Sequence, residues 1–116
     1  MMKPLAQQTI LITGSTDGLG KQTALALARQ GATVLLHGRS QQRLEKTLQE
    51  LRDATGSRRL ETYLADLSDL SAVRSLAERV QTHHPQLDML INNAGVGSGN
   101  MKARAIALPT PSARRR

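Results

Sequence analysis

The sequence predicts an α/β protein, a partial doubly wound parallel sheet of about four strands with helices on both faces. Two observations predict this fold class. Short β-rich segments alternate with longer segments of helical periodicity, and the first short segment, TILIT at 9–13, is apolar or β-branched throughout. Such a run is typical of a strand that is buried on both faces, as strands inside parallel sheets are. Because consecutive parallel strands are joined by right-handed crossovers, we expect the helices to cover both sides of the sheet.

The first two helices have recognisable ends. Residues 18–30 are rich in Ala and Leu and are followed by Gly31, a residue that suits the position just after a helix. The second strand is TVLLH at 33–37, after which Ser40 is a suitable N-cap for a second helix that ends at Gly56. The apolar face of that helix is expected to consist of Leu44, Leu48 and Leu51.

The second half of the pattern supplies another strand, a helix and a final strand. Residues 60–65 (LETYLA) form a weaker third strand, and LDMLI at 87–91 forms the fourth. Between them, Ser68 is the expected N-cap of a third helix, and Pro85 closes that segment. The apolar stripe of this helix is expected to comprise Leu70, Val73, Leu76, Ala77 and Val80.

Composition divides the chain into three parts. A short leader, 1–8, precedes the domain at 9–97, and 98–116 is a basic tail that we expect to be disordered. The formal net charge of +7 is concentrated in that tail, which carries five basic residues and no acidic one. We therefore expect a solvated chain end and no specific nucleic-acid surface.

Absences in the composition exclude several classes of function. There is no cysteine, which excludes disulfides, thiolate catalysis and cysteine metal sites. Tyr63 is the only Phe, Trp or Tyr residue, so stacking of nucleic-acid bases on aromatic side chains is nearly excluded. No apolar run approaches the roughly 20 residues of a membrane span, and no signal peptide pattern is present, so we expect a cytoplasmic protein. His83 and His84 lack an ordered set of further ligands, and no metal site is expected.

A glycine-rich loop, TGSTDGLG, is predicted at the carboxyl end of the first strand. The N–H groups at the start of the next helix have no acceptors within the helix, and the helix dipole makes that end partly positive, so a pyrophosphate is a natural ligand. Gly14 permits the tight turn, while Gly18 and Gly20 allow close approach to the backbone. Ser15 and Thr16 add hydroxyl donors. Taken alone, the loop is also compatible with an ordinary strand–helix turn.

Two further positions fit the adenosine end of a dinucleotide. The second strand ends in HGRS, where Gly38 leaves space and Arg39 provides donors for a 2′-phosphate, which favours NADP over NAD. The alternative is an exposed arginine at a strand end. After the third strand, Asp66 could accept from the adenine amino group and Leu67 could offer its N–H. The alternative for Asp66 is to help Ser68 cap the third helix.

With TGSTDGLG, HGRS, ADL and NNAG in this order, residues 9–97 resemble the short-chain dehydrogenase/reductase family. The loop matches the family's T-G-x-x-x-G-x-G pattern, and GRS and NNAGV are most similar to its NADP-dependent retinol-dehydrogenase-like and protochlorophyllide-reductase-like members. The resemblance implies a Rossmann-type fold and NADP as the cofactor, with NAD less favoured. The resemblance implies that the cofactor phosphates lie among Gly14, Ser15, Gly18, Leu19 and Gly20, with Ser15 and Arg39 near the 2′-phosphate. It implies that Asp66 and Leu67 hold adenine, and that Asn93, Ala94 and Gly95 line the adenosine ribose. Asn92 would link the central strands.

The resemblance also implies which catalytic groups to look for. Members of the family use a Ser, a Tyr-x-x-x-Lys pair and an Asn in the helix after NNAG, and all of these would lie beyond residue 97. Tyr63 precedes NNAG and is followed four positions later by Leu67, so it cannot replace the family's tyrosine. Neither Ser98, Ser112 nor Lys102 falls in a matching motif. We therefore expect no catalytic residues here: the cofactor-binding half of an oxidoreductase, with little or no turnover.

Two alternatives to a cofactor-binding half of an enzyme remain open. The first is a non-enzymatic nucleotide-binding or interaction module, which would associate with itself or with a full-length relative through an exposed sheet edge. The second is a non-functional, truncated fragment that does not fold cooperatively.

Overall fold

A computed structural model describes residues 3–94, which form one parallel four-stranded sheet in the order β3-β2-β1-β4. Gly95 and the predicted tail at 98–116 lie outside the described residues, so the expected disorder of the tail stays a prediction. The elements are a 3-10 turn at Leu5–Gln7, β1 at Thr9–Thr13, α1 at Gly18–Arg29, β2 at Thr33–Gly38, α2 at Gln41–Thr55, β3 at Leu60–Leu64, α3 at Leu70–His83 and β4 at Met89–Asn92.

Strand β1 lies at the centre of the sheet, between β2 and β4. Ile10 pairs with Val34 on one side and with Met89 on the other, and all the pairings are parallel. The carboxyl ends of the four strands therefore meet at one edge of the sheet, which is where parallel α/β proteins bind their ligands. The loops that follow β1, β2 and β3 and the residues after β4 are all placed at this edge.

The core has two layers, one on each face of the sheet, which confirms the predicted α/β class. Helices α1 and α2 pack on one face, and α3 packs on the other. The first layer contains Ile10, Ile12, Ala24, Ala28, Ala32, Val34, Leu36, Leu44, Leu51 and Leu60. The second contains Leu11, Leu35, Tyr63, Ala65, Leu76 and Val80. The alternation of β1 and β2 residues between the layers explains why both strands read as continuous apolar runs.

The helix ends agree with the sequence at two of the three helices. Gly31, which follows α1, and Gly56, which follows α2, have φ values of 88° and 72°. This left-handed conformation is typical of the residue that ends a helix. The Ser40 hydroxyl accepts a hydrogen bond from Arg43 N at 3.3 Å and caps α2 as predicted. None of the helices described between residues 3 and 94 is long and apolar enough to cross a membrane.

The predicted N-cap of α3 is wrong. Asp69, not Ser68, caps this helix, because its Oδ1 accepts a hydrogen bond from Ser71 N at 2.9 Å. The main-chain N–H and the hydroxyl of Ser68 both donate to Asp66 Oδ1, at 3.0 and 2.7 Å. Ser68 is thereby held in a turn before the helix, and the aspartate that follows it occupies the capping position.

Candidate nucleotide-binding site

The glycine-rich loop joins β1 to α1 at the carboxyl edge of the sheet and is closely packed against the end of β4. Gly14 has a φ of 63°, and a Cβ there would lie 3.0 Å from the Cα of Ala94. A Cβ on Gly20 would lie 2.2 Å from the carbonyl oxygen of Gly14 and 2.6 Å from Asn93 Nδ2. These two glycines are therefore required by contacts within the protein, whether or not a ligand is bound.

The start of α1 differs from the starts of the other two helices. Asp17 occupies its N-cap position, but the carboxylate accepts no hydrogen bond from the helix, whereas Ser40 and Asp69 cap α2 and α3 with their side chains. Gly18 follows with a φ of 56°, and a Cβ there would meet no atom within 4 Å. The start of α1 thus has no side-chain cap, and the space beside Gly18 is open, which leaves the first N–H groups of the helix available to an anion.

Ser15 lies at the bottom of the loop, fully buried, and bonds to the backbone of β2. Its hydroxyl accepts from His37 N at 2.8 Å and lies 3.2 Å from His37 O, which also accepts from Ser15 N at 2.9 Å. Thr16 is half-buried, and its carbonyl oxygen accepts from the Thr47 hydroxyl at 3.3 Å. Its methyl group lies 2.6 Å from where a Cβ on Gly38 would be, so Gly38 allows the loop to lie close to β2. Both hydroxyl residues are thus engaged with β2 and α2.

Sequence reasoning missed His37, which connects three segments of this edge. The ring is buried, and Nδ1 accepts a hydrogen bond from Gly14 N at 2.9 Å. The opposite nitrogen, Nε2, lies 2.9 Å from Ala65 O, just after β3. Burial lowers the pKa of His37, and the positive charge of Arg79 lowers it further, although the hydrogen bond to Ala65 opposes the change. A histidine inside the otherwise apolar strand TVLLH was the signal available in the sequence.

Arg39 and Asp66, the two side chains predicted to bind the adenosine end of the cofactor, are both exposed at the carboxyl edge of the sheet. Among residues 3–94, the Arg39 guanidinium has neither a hydrogen-bond partner nor an ion pair. The side chain and the N–H of Ser68 lower the pKa of Asp66 by hydrogen bonding to its carboxylate, and the charge of Arg39 acts in the same direction. Asp66 is therefore an anionic acceptor near neutral pH, and the turn that it forms with Ser68 fixes its orientation. Leu67 is half-buried and packs against the α3 layer.

The NNAG segment is attached to β1 through the hydroxyl of Thr13, another residue whose role the sequence did not reveal. This hydroxyl donates to Asn92 Oδ1 at 2.9 Å and accepts from the N–H groups of Asn93 and Ala94 at 2.9 and 3.0 Å. Asn93 Nδ2 in turn donates to Gly14 O at 3.0 Å. Asn92 thus joins β1 to β4, a link between strands of the kind that the resemblance implied. Gly95, also predicted as a site residue, lies outside the described residues.

Tyr63 belongs to the core rather than to this edge's open surface. Its hydroxyl contacts His83 Nδ1 at 3.1 Å and Glu61 Oε1 at 3.4 Å, and burial raises its pKa to about 12, helped by the nearby charge of Glu61. His84 Nε2 lies 2.8 Å from the same Glu61 oxygen. Among residues 3–94, no three His, Cys, Asp or Glu side chains are grouped so that they could hold a metal ion. Both histidines therefore have structural partners near β3.

The residues present fit a dinucleotide. The pyrophosphate needs N–H donors and space, which the uncapped start of α1 and the bare backbone of Gly18 provide. A ribose phosphate needs an accessible cation, and Arg39, exposed and without a hydrogen-bond partner or ion pair among residues 3–94, supplies one. An adenine amino group needs an ionised or carbonyl acceptor, and Asp66 supplies one.

Comparison with known proteins gives a consistent result. A family model described as short chain dehydrogenase matches residues 8–109. Human dehydrogenase/reductase SDR family member 13 is 42% identical over 97 residues, which are 84% of this chain and 26% of that protein. Human retinol dehydrogenase 13 is 36% identical over 89 residues, covering 77% and 27% of the two chains. L-sorbose reductase from Gluconobacter frateurii, solved with NADPH and L-sorbose, has a TM-score of 0.70 at 31% identity, over 78% of this chain and 34% of the reductase.

These matches confirm the resemblance that the four sequence segments predicted, including the similarity to retinol dehydrogenases. This chain spans about a quarter of the length of the two human relatives. Since the family model covers most of the sequence, the chain belongs to the short-chain dehydrogenase family of oxidoreductases.

Proposed function

We propose that this chain binds NADP at the carboxyl edge of its sheet and supplies the adenosine-binding part of a short-chain dehydrogenase. The observation that carries the proposal is the start of α1, which has no side-chain cap and has open space beside Gly18. The neighbouring strand is followed by Arg39, whose exposed guanidinium has no hydrogen-bond partner or ion pair among residues 3–94. A helix start without a side-chain cap and an exposed cation one strand apart suit a ligand with two separate phosphate groups.

Each part of the cofactor has candidate partners. The pyrophosphate would bind the N–H groups of Gly18, Leu19 and Gly20, and the 2′-phosphate would bind Arg39. Adenine would lie against Asp66 and Leu67, and the adenosine ribose against Asn93, Ala94 and Gly95. Ser15 and Thr16 would act by holding the loop against β2 and α2, because their side chains or carbonyls already have partners there.

The nicotinamide of a bound cofactor would supply the redox chemistry: in its reduced form it would give a hydride to a carbonyl carbon, and in its oxidised form it would take one from an alcohol carbon. The residues described at this edge would bind and orient the adenosine half of the cofactor, but they include no group placed to move a proton at a substrate. Tyr63, the sole tyrosine of the chain, is buried and bonded to His83, and its high pKa keeps its proton in place. We therefore propose that the chain by itself has little or no turnover.

Ligand-dependent stabilisation tests the binding proposal directly. A protein that binds NADP only when folded gains about 2.7 kcal/mol at a cofactor concentration of 100 times Kd. Thermal unfolding of the 116-residue chain, followed by circular dichroism, should therefore shift to higher temperature with NADP and less with NAD. A melting curve that neither cofactor moves would reject the proposal. A cooperative melt without cofactor would in turn reject the alternative of a fragment that does not fold.

Turnover is tested separately, with the same preparation. Consumption of NADPH in the presence of a panel of aldehydes and ketones should stay at the background rate. Reduction at rates typical of enzymes, about 1 per second or more, would show that proton-transfer groups are present after all.

A second candidate function, association through the sheet edge, rests on β4. Within residues 3–94 this strand has one strand neighbour, β1, and all four of its residues are only half-buried. An edge strand of this kind can pair with a second copy or with a longer relative. Sedimentation equilibrium should then show a dimer that Leu90→Lys dissociates, whereas a monomer at all concentrations would exclude self-association.

A further inference from the structure

Both loops that would hold the adenosine half of the cofactor are bonded to one residue, His37. Its Nδ1 accepts a hydrogen bond from the N–H of Gly14, the first glycine of the glycine-rich loop, at 2.9 Å. Its Nε2 lies 2.9 Å from the carbonyl oxygen of Ala65, the residue before Asp66. The imidazole is thus the bridge between the candidate phosphate site and the candidate adenine site.

The hydrogen bonds assign the protonation state of the ring. A main-chain N–H can only donate, so Nδ1 must carry a lone pair where it meets Gly14. A carbonyl oxygen can only accept, so Nε2 must carry the hydrogen that points to Ala65. The neutral ring with its proton on Nε2 satisfies both partners. A protonated ring would present N–H to Gly14 N–H, and the bond that holds the loop would be lost.

The surroundings of the ring disfavour its protonated form. His37 is 3% exposed and lies on the face of the sheet that α3 covers, with Tyr63 of β3 in the paired position. From α3, Arg79 contributes a positive charge, and its guanidinium lies over the Tyr63 ring. Tyr63 remains neutral, and neither β1 nor β4 carries a titratable side chain. The described neighbours therefore give His37 no anionic partner to stabilise a charge.

We propose that His37 is a positioning residue for the cofactor: its neutral ring fixes the glycine-rich loop relative to the adenine-binding turn, and its protonation weakens NADP binding. The proposal rests on the function proposed above. It adds a regulation of that site by pH, exerted through a residue that does not contact the cofactor. The sign follows from the bonds: the bridge is intact above the pKa of the buried ring and is lost as the pH falls through it.

The test compares NADP binding to the wild-type chain and to His37→Asn, by calorimetry, from pH 7.5 down to the lowest pH at which circular dichroism shows both proteins folded. The asparagine amide oxygen takes the place of Nδ1 as an acceptor for Gly14 N–H but does not titrate. The 2′-phosphate of NADP also titrates near pH 6, but equally for both proteins. We expect the wild type to lose roughly fivefold more affinity than His37→Asn over this range, the factor of one hydrogen bond. At pH 7.5, His37→Asn should bind and His37→Leu should bind much more weakly.

Two controls separate positioning from a general effect of acid. His84→Gln removes a histidine that pairs with Glu61 and should keep the wild-type pH profile. Circular dichroism at each pH shows whether a variant is folded, and if His37→Leu is unfolded, the pH comparison with His37→Asn still decides. Ring nitrogen shifts in NMR spectra should show the Nε2–H form at pH 7.5.

The outcomes distinguish this proposal from the proposed function. If the wild type does not bind NADP at pH 7.5, the proposed function fails and this inference fails with it. If the wild type binds but its pH profile parallels that of His37→Asn, or if the ring carries its proton on Nδ1, the role of His37 is rejected while NADP binding stands.

Discussion

The hydroxyl of Thr13 on β1 donates a hydrogen bond to Asn92 Oδ1 on β4 at 2.9 Å. It also accepts hydrogen bonds from the N–H groups of Asn93 and Ala94 at 2.9 and 3.0 Å. One side chain therefore satisfies three polar groups and determines how the chain turns away from the sheet after β4. Since Asn93 also donates to Gly14 O, the NNAG segment is tied to the glycine-rich loop at two points. The shape of the candidate ribose site follows from these bonds.

Removal of the Thr13 hydroxyl should destabilise the protein. Thr13→Val keeps the shape of the side chain but leaves two N–H groups and the Asn92 oxygen without their partner, in a site where Thr13 is 1% exposed. Since each unsatisfied buried group costs about 1–3 kcal/mol, we expect a loss of roughly 2–4 kcal/mol, measured by urea unfolding. Thr13→Ser retains the hydroxyl and should lose about 1 kcal/mol, the order expected for one methyl group. Equal losses for the two variants would show that the hydroxyl bonds contribute little.

A methyl group at Gly18 should reduce cofactor affinity beyond its effect on stability. Gly18 and Gly56 both have positive φ, and at both positions an added Cβ would meet no protein atom within 4 Å. Gly18→Ala and Gly56→Ala should therefore lose similar stability, about 1–2 kcal/mol. The space beside Gly18 is where the pyrophosphate is proposed to lie, whereas Gly56 ends α2. Only Gly18→Ala should raise the Kd for NADP, measured under conditions where both variants are folded; an equal Kd for the two would place the phosphates elsewhere.

Loss of the Arg39 charge should remove the proposed preference for NADP. The guanidinium has no partner within residues 3–94, so its truncation leaves no buried group unpaired and should leave stability nearly unchanged. A charge-assisted hydrogen bond contributes about 1.5–3 kcal/mol, so Arg39→Gln should weaken NADP binding by roughly 10- to 100-fold and leave NAD binding unchanged. Arg58→Gln is the matched control, because Arg58 is an exposed arginine just before the start of β3, at the opposite end of the sheet. Equal weakening of NAD and NADP binding would contradict a 2′-phosphate contact.

The sequence predicted the fold well where one local rule decides the structure. The apolar segment at 9–13 could only be a buried strand, and Ser40 and Gly56 marked the ends of α2 because each terminates a clear helical pattern. The N-cap of α3 was predicted wrongly because Ser68 and Asp69 are both suitable N-cap residues. Which of them caps the helix depends on Asp66, whose carboxylate accepts hydrogen bonds from Ser68 and leaves Asp69 to cap α3.

The sequence predicted which segments lie at the candidate site but not the hydrogen bonds that join those segments. The sequence placed the glycine-rich loop, Arg39 and Asp66 at one edge, since parallel strands end together. It did not reveal that Thr13 and His37 join these segments. The partner of the Thr13 hydroxyl on Asn92 is 79 residues away along the chain, and the partner of His37 Nδ1 is a main-chain N–H 23 residues away. Hydrogen bonds to backbone atoms leave no residue pattern in a single sequence, so this part required coordinates.

Acid should remove a stabilising contact between the N-terminal segment and the start of β4. Burial alone would raise the pKa of Asp88, but hydrogen bonds from the Lys3 ammonium and from Thr9 N–H outweigh it and hold the pKa below 3.8. A carboxyl with a lower pKa in the folded state stabilises the protein above the unfolded-state value, and this contribution is lost as the pH falls below about 3.8. Asp88→Asn can still accept from Thr9 but loses the ion pair, so it should be about 1 kcal/mol less stable than wild type at pH 7. The difference in the free energy of unfolding, measured by urea denaturation at a series of pH values, should shrink as the pH falls below about 5. Lys3→Gln should reproduce most of the loss at pH 7, and a difference that stays constant down to pH 3 would show that the Asp88 charge is not its source.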